Sequence, residues 1–205
     1  SHMIEEIYKK RRKVKRFLNE APDHNLIVDL MQKTHSLVPS KQNLMPYKIH
    51  VLGPKCLKLK DELYHLTTTA SSDEYTQTKS NYQVYAPYVL IFTTRLAEPN
   101  EYVKRKIQEG HSYKSCFPET YLNTGRVNIA CIEVGMWSKI FTGLCLENDI
   151  DVAYLKCFNS NSEKWSFIDE RPLFVIGVGY KVNHVPFTKG ETKPDWNEVV
   201  CFEHE

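Results

Sequence analysis

The stretch from Gly125 to Leu146 constrains the fold more than any other. Ile129, Ile132, Met136, Ile140 and Leu144 recur at helical spacing on one stripe, and Ala130, Val134, Trp137, Phe141 and Cys145 on the next. The spacing predicts a helix of ~33 Å that is apolar over most of its circumference. In a chain of 205 residues such a helix needs a sheet against one face and something else against the other. A partner subunit is the simplest second cover, with plain core as the alternative. Glu133 is the odd residue on this helix. It is expected to pair with a cation or to lie at the wet edge, because an unpaired buried carboxylate is costly.

The sheet is written in shorter runs. Pro87–Thr93 is apolar on both faces and too short for a helix, which predicts a central strand. Tyr47, Ile49 and Val51 alternate with Lys48 and His50, a half-buried strand ending at Gly53-Pro54. Ile150–Phe158 and Pro172–Tyr180 read as two more strands, and Glu198–Phe202 as a last β-prone tail. Ile4, Ile7 and Tyr8, and then Val14, Phe17 and Leu18, recur at helical spacing, which predicts a first helix that delivers the cations from Lys9 onward at its C-terminal end or just beyond. A second starts at an N-cap, Asp23, carries Leu26, Ile27, Leu30, Met31 and Leu37 on its inner face and closes at Pro39. A third places Cys56, Leu59, Leu63 and Leu66 inward and stops in the turn-like run from Thr67 to Ser72. Residues 96–120 mix polar, charged and aromatic side chains between Pro99, Gly110 and Pro118, an irregular insertion of the kind that covers sites. No internal repeat and no linker divides the chain, so residues 4–205 are expected to form a single domain, with Ser1–Met3 read as an expression-tag remnant.

Composition excludes several classes. Basic and acidic residues nearly balance, 27 against 25, so no chain-wide excess of positive charge points to nucleic acid. Six cysteines stand singly, with no CxxC and no zinc-like pairing, and reduced thiols in or near the core are expected. No HExxH, EF-hand or Walker sequence occurs, and Gly177-Val178-Gly179 lacks a third glycine, so metal and dinucleotide-fold chemistry are poor readings. Once short strand-like runs are set aside, no apolar stretch reaches the ~18 residues of a membrane span or signal peptide, and a cytoplasmic protein with no membrane partner is expected.

The positive charge is local. Lys9-Lys10-Arg11-Arg12-Lys13-Val14-Lys15-Arg16-Phe17 places seven cations among nine residues. Such a run suits either a polyanion on a solvated face or one compact phosphate held by converging side chains. Val14 and Phe17 have core-like spacing within it, which a polyanion-binding tail would not need. About 22 residues on comes the proline-bounded loop Pro39-Ser40-Lys41-Gln42-Asn43-Leu44-Met45-Pro46-Tyr47.

These two stretches, the apolar helix ending in Gly143-Leu144 and the strand ending in Gly179-Tyr180 appear in an order that resembles the FMN-dependent nitroreductase superfamily. Arg11–Phe17 is similar to the pattern R-R-S-[VI]-R-x-F, with Lys13 in place of serine and Lys15 in place of an arginine. The loop is similar to P-S-x-x-N-x-x-P-[WY], with Met45 where glutamine is frequent. The resemblance implies an α+β fold with a mostly antiparallel sheet flanked by helices, in an intertwined homodimer with FMN at each of two shared sites. It implies that Arg11, Arg12, Lys13 and Lys15 line the ribityl phosphate, joined by Lys189 and Lys193 from the C-terminal region. Ser40 and Asn43 would reach the flavin held mainly by the other subunit, Asn81 and Gln83 would meet its polar edge, and the main chain of Lys156 and Cys157 would face N5. Within the 96–120 insertion, Tyr113 and Phe117 are expected to wall the substrate site.

The activity so implied is ping-pong reduction of an electron-poor small molecule, a nitroaromatic or quinone, by NADH or NADPH, with no catalytic side chain beyond the flavin and no metal. Three other readings stay open: a dehalogenase or flavin-fragmenting member of the same fold, a flavin-binding protein without turnover, and a nucleic-acid-binding dimeric module.

Overall fold

The computed structural model describes residues 2–67, 81–118, 123–182 and 193–203. Within them four strands form one antiparallel sheet: β1 (Tyr47–Leu52), β2 (Tyr88–Thr94), β3 (Asp151–Leu155) and β4 (Pro172–Gly179), in the order β1-β2-β4-β3. Every residue of β2 is buried, as its uninterrupted apolar run requires of a central strand. Its register against β4 shifts between Phe92 and Thr93, where Thr93 faces Pro172. Proline has no N–H to give the ladder, so the irregularity falls at the first residue of β4.

Side chains alternate across β2, and each face has its own core. Leu90 and Phe92 meet α2 (His24–Leu37) and α5 (Thr124–Glu147), where Ile27, Leu30, Trp137 and Phe141 are fully buried. The Trp137 ring lies edge-on to Phe92 at 5.2 Å and stacks on Phe141 at 4.9 Å. Val89 and Ile91 point the other way, onto Leu63 and Tyr64 of α3 (Leu57–Leu66) and onto Val84 and Trp165. The helix starts are capped by side chains: the Asp23 carboxylate accepts from the Leu26 N–H at 3.2 Å, and the Asn123 side chain accepts from the Arg126 N–H at 3.1 Å. Val38 leaves α2 in an extended conformation, as the residue before Pro39 must.

Several local expectations are corrected. The first helix, α1, covers His2–Lys9 and delivers the basic run just beyond its end; Val14 and Phe17 are not part of it, and Phe17 bridges to Lys181 beside β4. The insertion contains a helix, α4 (Glu101–Gln108), whose N-cap Asn100 accepts from the Val103 N–H at 3.0 Å. The tail forms the short helix α6 (Trp196–Val199), capped at its start by an Asp195–Glu198 capping box, and residues 200–203 beyond it have no strand partner among the described residues. Leu37 is exposed, and of the cysteines only Cys145 is buried, while Cys131, Cys157 and Cys201 are exposed. Most of the turn-like run after Thr67 lies outside the described residues.

By length and composition α5 is a helix that could cross a membrane, against the sequence expectation, but half of its apolar window is already buried inside the protein. Its two stripes differ in burial, with Ile129, Ile140 and Leu144 of the outer one half-buried. Val127, Ala130, Val134, Trp137, Phe141 and Cys145 are buried, while Ile132 is 64% exposed and Met136 36% exposed. Glu133 is neither paired nor wet: it is 3% exposed, and neither carboxylate oxygen has a hydrogen-bond partner.

Candidate functional site

The basic run is a strap rather than a helix, and that decides which cations act together. Lys10 and Arg11 close α1 by donating from their N–H groups to the Ile7 and Tyr8 carbonyls. From there the chain docks beside β4, with the Leu18 N–H donating to the Tyr180 carbonyl at 2.7 Å and the Val182 N–H to the Arg16 carbonyl at 3.2 Å. Arg11, Lys13 and Lys15 line one cleft together with the buried Val14. Arg12 is turned away. Its guanidinium donates to the Lys9 carbonyl at 2.6 Å and the Arg11 carbonyl at 3.0 Å, and it lines a different hollow with Asp149, Asp151 and Lys181.

Glycines let the strap approach. A Cβ on Gly177 would lie 2.5 Å from the Gln83 carbonyl oxygen and 3.3 Å from the Phe17 ring, and one on Gly179 would lie 2.7 Å from Pro87 Cδ and 3.2 Å from Phe17. Phe17 and the turn at 82–85 thus rest on a stretch of β4 bare of side chains. The same turn supplies the second wall of the cleft. Asn81 precedes it in the left-handed region at φ 68°, where asparagine is tolerated. The buried Gln83 donates through Nε2 to Asn81 Oδ1 at 3.4 Å, and its Oε1 has no partner. The third wall is the end of β3, from Ala153 through Lys156 and Cys157, and the whole encloses about 440 Å³.

The electrostatics are one-sided. The Arg11 guanidinium sits 4.7 Å above the Tyr154 ring, its buried Nε lacks a partner, and the Tyr154 hydroxyl is tied to Thr142 Oγ1 at 2.5 Å. Lys139, which α5 brings to the same place, holds its Nζ 4.0 Å above the Tyr8 ring. The Lys139 ammonium titrates below its ordinary range, first because it is desolvated, then because Arg11 and Lys193 repel it. Tyr8 donates to the Lys139 carbonyl at 2.6 Å, and burial, with Tyr154 second, pushes its phenol up. Among the described residues no carboxylate forms an ion pair with Arg11, Lys13, Lys15, Lys139 or Lys193, whereas Lys9 is taken by Glu5 and Glu6 at 3.3 Å each and Lys10 reaches Asp149 at 3.7 Å.

Seven of the residues expected at a flavin thus line one cleft: Arg11, Lys13, Lys15, Asn81, Gln83, Lys156 and Cys157. Lys193 acts on Lys139 from nearby, and Lys189 lies outside the described residues. Ser40, Asn43 and Tyr113 belong to another region of the chain. Ser40 Oγ accepts from the Met45 N–H at 2.9 Å, and Gln42, Asn43 and Met45 all have positive φ. Arg95 holds this strained loop by donating to the Leu44 and Met45 carbonyls at 2.7 and 3.0 Å. Tyr113 lines a cavity beside the loop, and Phe117, partly buried, follows the turn at Lys114–Cys116. Lys139 and Tyr154 were not found by sequence reasoning. A lysine within an apolar helix carried a signal, which the apolar pattern around it masked.

The cleft suits an organic phosphate with a polar ring. Unpartnered cations on one face, one of them with a buried orphan N–H, call for an anion. A buried free carbonyl oxygen on Gln83 calls for a donor such as a ring N–H.

No protein-family profile and no curated protein matches the sequence. Solved structures do. The chain is similar to a protein assigned as an NAD(P)H:FMN oxidoreductase from Staphylococcus epidermidis, with a TM-score of 0.70 and 15% identity over 98% of this chain and 95% of that one. It is similar to a protein assigned as the nitroreductase ydfN of Bacillus subtilis, with a TM-score of 0.70 and 17% identity over 98% and 99% of the two chains. A protein assigned as a nitroreductase from Exiguobacterium sibiricum, solved in complex with FMN, gives 0.67 and 15% over 98% and 97%. At such identities the likeness shows the fold: the chain has the α+β, nitroreductase-like architecture.

Proposed function

We propose, from the nitroreductase-like fold and the cationic cleft at its β3 edge, that the protein is a homodimeric FMN-dependent oxidoreductase that uses NADH or NADPH to reduce an electron-poor small molecule. The observation that carries this is the shared face of Arg11, Lys13 and Lys15, unpaired with any described carboxylate, opposite the orphaned Gln83 oxygen. When bound, FMN would supply the two-electron redox chemistry between a nicotinamide donor and the acceptor, which this reading takes as ping-pong.

The chain's own part is to hold and to place. Arg11, Lys13 and Lys15, with Lys193 and, in this reading, Lys189, hold the phosphate through charge-assisted hydrogen bonds. Arg12 supports the strap through the carbonyls it binds. Asn81 and Gln83 fix the orientation of the ring by its polar edge, and the backbone of Lys156 and Cys157 at the end of β3 offers hydrogen bonds to its centre. The hydrogen-bonded Tyr154 keeps Arg11 in position through its ring face.

The second subunit enters through α5 and the loop. Ile132 and Met136 leave an apolar stripe open in one chain, and Trp196 (64% exposed) and Phe202 (68% exposed) leave another in the C-terminal segment. A second copy covering these faces brings Ser40, Asn43, Tyr113 and Phe117 to the partner's cleft as its far wall. The reading is of a cytoplasmic enzyme without nucleic-acid or membrane partners.

A visible spectrum of the purified protein, followed by chromatography of the released cofactor, tests the proposal. Flavin absorption with FMN recovered is expected. A colourless protein that takes up no FMN on reconstitution overturns it.

A further inference from the structure

Lys139 is not among the residues that line the cationic cleft, yet it belongs to the same field of charge. α5 anchors two tyrosines three residues apart: the Lys139 carbonyl accepts from the Tyr8 hydroxyl at 2.6 Å, and Thr142 Oγ1 is bonded to the Tyr154 hydroxyl at 2.5 Å. Each ring carries a cation. Lys139 Nζ lies 4.0 Å from the Tyr8 centroid, and the Arg11 guanidinium lies 4.7 Å from that of Tyr154. Gly143, one turn on from Lys139, admits the Tyr8 ring this closely, because a Cβ there would lie 2.8 Å from its Oη and 3.3 Å from its Cζ. Lys139 is thus held beside Arg11, and Lys193 is near enough to repel it as well. Glu147, the carboxylate whose charge acts on Tyr8, makes no ion pair with Lys139, and among the described residues no other carboxylate does.

The charge count leaves Lys139 over. One phosphate monoester carries ~1.5–2 negative charges at pH 7. Arg11, Lys13, Lys15 and Lys193, which the flavin reading assigns to the cofactor's phosphate, already exceed that. With the phosphate in place the region keeps a positive excess, and Lys139 adds to it from beyond the lining of the cleft. A ring face is a weak partner for an ammonium compared with phosphate oxygens. The excess therefore suits a second anion, one that arrives after the cofactor. The two nicotinamide donors allowed by the flavin reading differ in a single group, a 2′-phosphate monoester on the adenosine ribose, present in NADPH and absent from NADH.

We propose that Lys139, with Lys193 beside it, receives the 2′-phosphate of NADPH and makes NADPH rather than NADH the electron donor, an inference that rests on the flavin reading. Binding exchanges the Tyr8 ring face for phosphate oxygens at the Lys139 ammonium. Tyr8 stays tied to α5 through its bond to the Lys139 carbonyl, so the exchange leaves the packing of α1 on α5 in place. NADH offers the same nicotinamide but nothing to draw Lys139 from the ring.

The test uses the full chain loaded with FMN, its flavin content read first from the visible spectrum. Isothermal titration calorimetry with adenosine 2′,5′-bisphosphate, and with ADP as the control that lacks a 2′-phosphate, gives affinities without turnover; steady-state kinetics gives KM for NADPH and for NADH. The bisphosphate is expected to bind at least ~10-fold more tightly than ADP, as befits one charge-assisted contact. Lys139→Met should abolish that preference and raise KM for NADPH ~10-fold or more, with flavin content and KM for NADH unchanged, while Lys139→Arg should keep the preference. Lys33→Met, which removes an exposed cation already paired with Asp29 at 2.9 Å, should alter none of these. A preference that survives in Lys139→Met overturns the proposal, and if the melting temperature falls at the same time Lys139 is a prop for Tyr8. Equal affinity for the two probes in the unaltered protein, or a lower KM for NADH than for NADPH, also overturns it. Lys139→Gln makes the same test should the methionine variant fail to fold. A protein that takes up no FMN overturns the flavin reading itself, a result distinct from FMN-loaded protein that is blind to the 2′-phosphate.

Discussion

Replacing Arg11 with methionine should separate cofactor grip from fold stability, because the structure charges the two differently. The methionine stem keeps most of the contact with the Tyr154 ring while removing the cation. What the flavin-free protein loses is a cation–π contact at 4.7 Å, ~0.5–1 kcal/mol at a partly exposed site. What it gains is relief from a buried N–H without a partner, of order 1 kcal/mol or more, and from a repulsion that adds to desolvation, the larger cause, in lowering the Lys139 ammonium. The two sides nearly cancel, so the melting temperature of the apo-protein should move by no more than about 3 °C in either direction. Flavin affinity has no such offset. Losing charge-assisted hydrogen bonds to the phosphate costs ~1.5–3 kcal/mol, or roughly 10-fold to 150-fold in Kd. Flavin fluorescence quenching on titration reads the second quantity and differential scanning calorimetry the first. Lys9→Ala is the control, since Lys9 is already engaged by Glu5 and Glu6 on its own helix. If Arg11→Met drops the apo-protein by 2 kcal/mol or more while FMN binds as before, Arg11 is a structural residue and the phosphate reading of the strap is refuted.

Gly177→Ala should destabilise the protein by about 1–3 kcal/mol in urea unfolding, since its Cβ has a backbone oxygen 2.5 Å away that cannot swing aside; an unchanged midpoint would show that the turn at 82–85 moves freely. The Tyr47 phenol is buried without a hydrogen-bond partner and is pushed from 10.0 to about 12, by desolvation first and by the Glu133 charge second. The native state thus holds this proton more tightly than the unfolded chain, so the contribution is complete below pH 10 and is lost as pH rises from about 10 to 12, a fall of roughly 2–3 kcal/mol. Tyr47→Phe should flatten that alkaline slope, which urea titrations at pH 9 and 11 would reveal. Ile132→Asp puts a charge in the open stripe of α5 and should shift the protein toward monomer in sedimentation, with loss of flavin; a stable dimer would place the interface elsewhere.

Much of the framework is legible in the sequence because its signals are periodic. The two stripes of α5, the unbroken burial of β2 and the alternation of β1 each follow from counting apolar positions. The strap shows where counting misleads: Val14 and Phe17 fit a helical repeat with Leu18, but α1 ends at Lys9 and only docking against β4 decides the path beyond it. That decision sends Arg12 away from Arg11, Lys13 and Lys15, which no reading of the basic run as one cluster could foresee. α4 was hidden because its stripe is only Val103 and Ile107, with Asn100 as cap, inside a stretch dominated by charge. Glu133 was expected to be paired or wet because burial without a partner is the rarer outcome.

The order of the sheet bears on how this chain is made. Among the described strands β4 is the last to leave the ribosome, yet it lies inside the sheet, between β2 and β3. Until residues 172–179 emerge, β2 exposes a fully apolar ladder on one side and β3 has no neighbour at all, the kind of open edge that invites pairing with other chains. The strap is in the same position, since its backbone bonds run to Tyr180 and Val182, beyond the end of β4. An N-terminal segment synthesised first therefore waits for the last strand before its three cations can face the cleft. Cofactor capture and completion of the sheet become one late event in synthesis, and a ribosome stalled before residue 172 would carry a chain with neither.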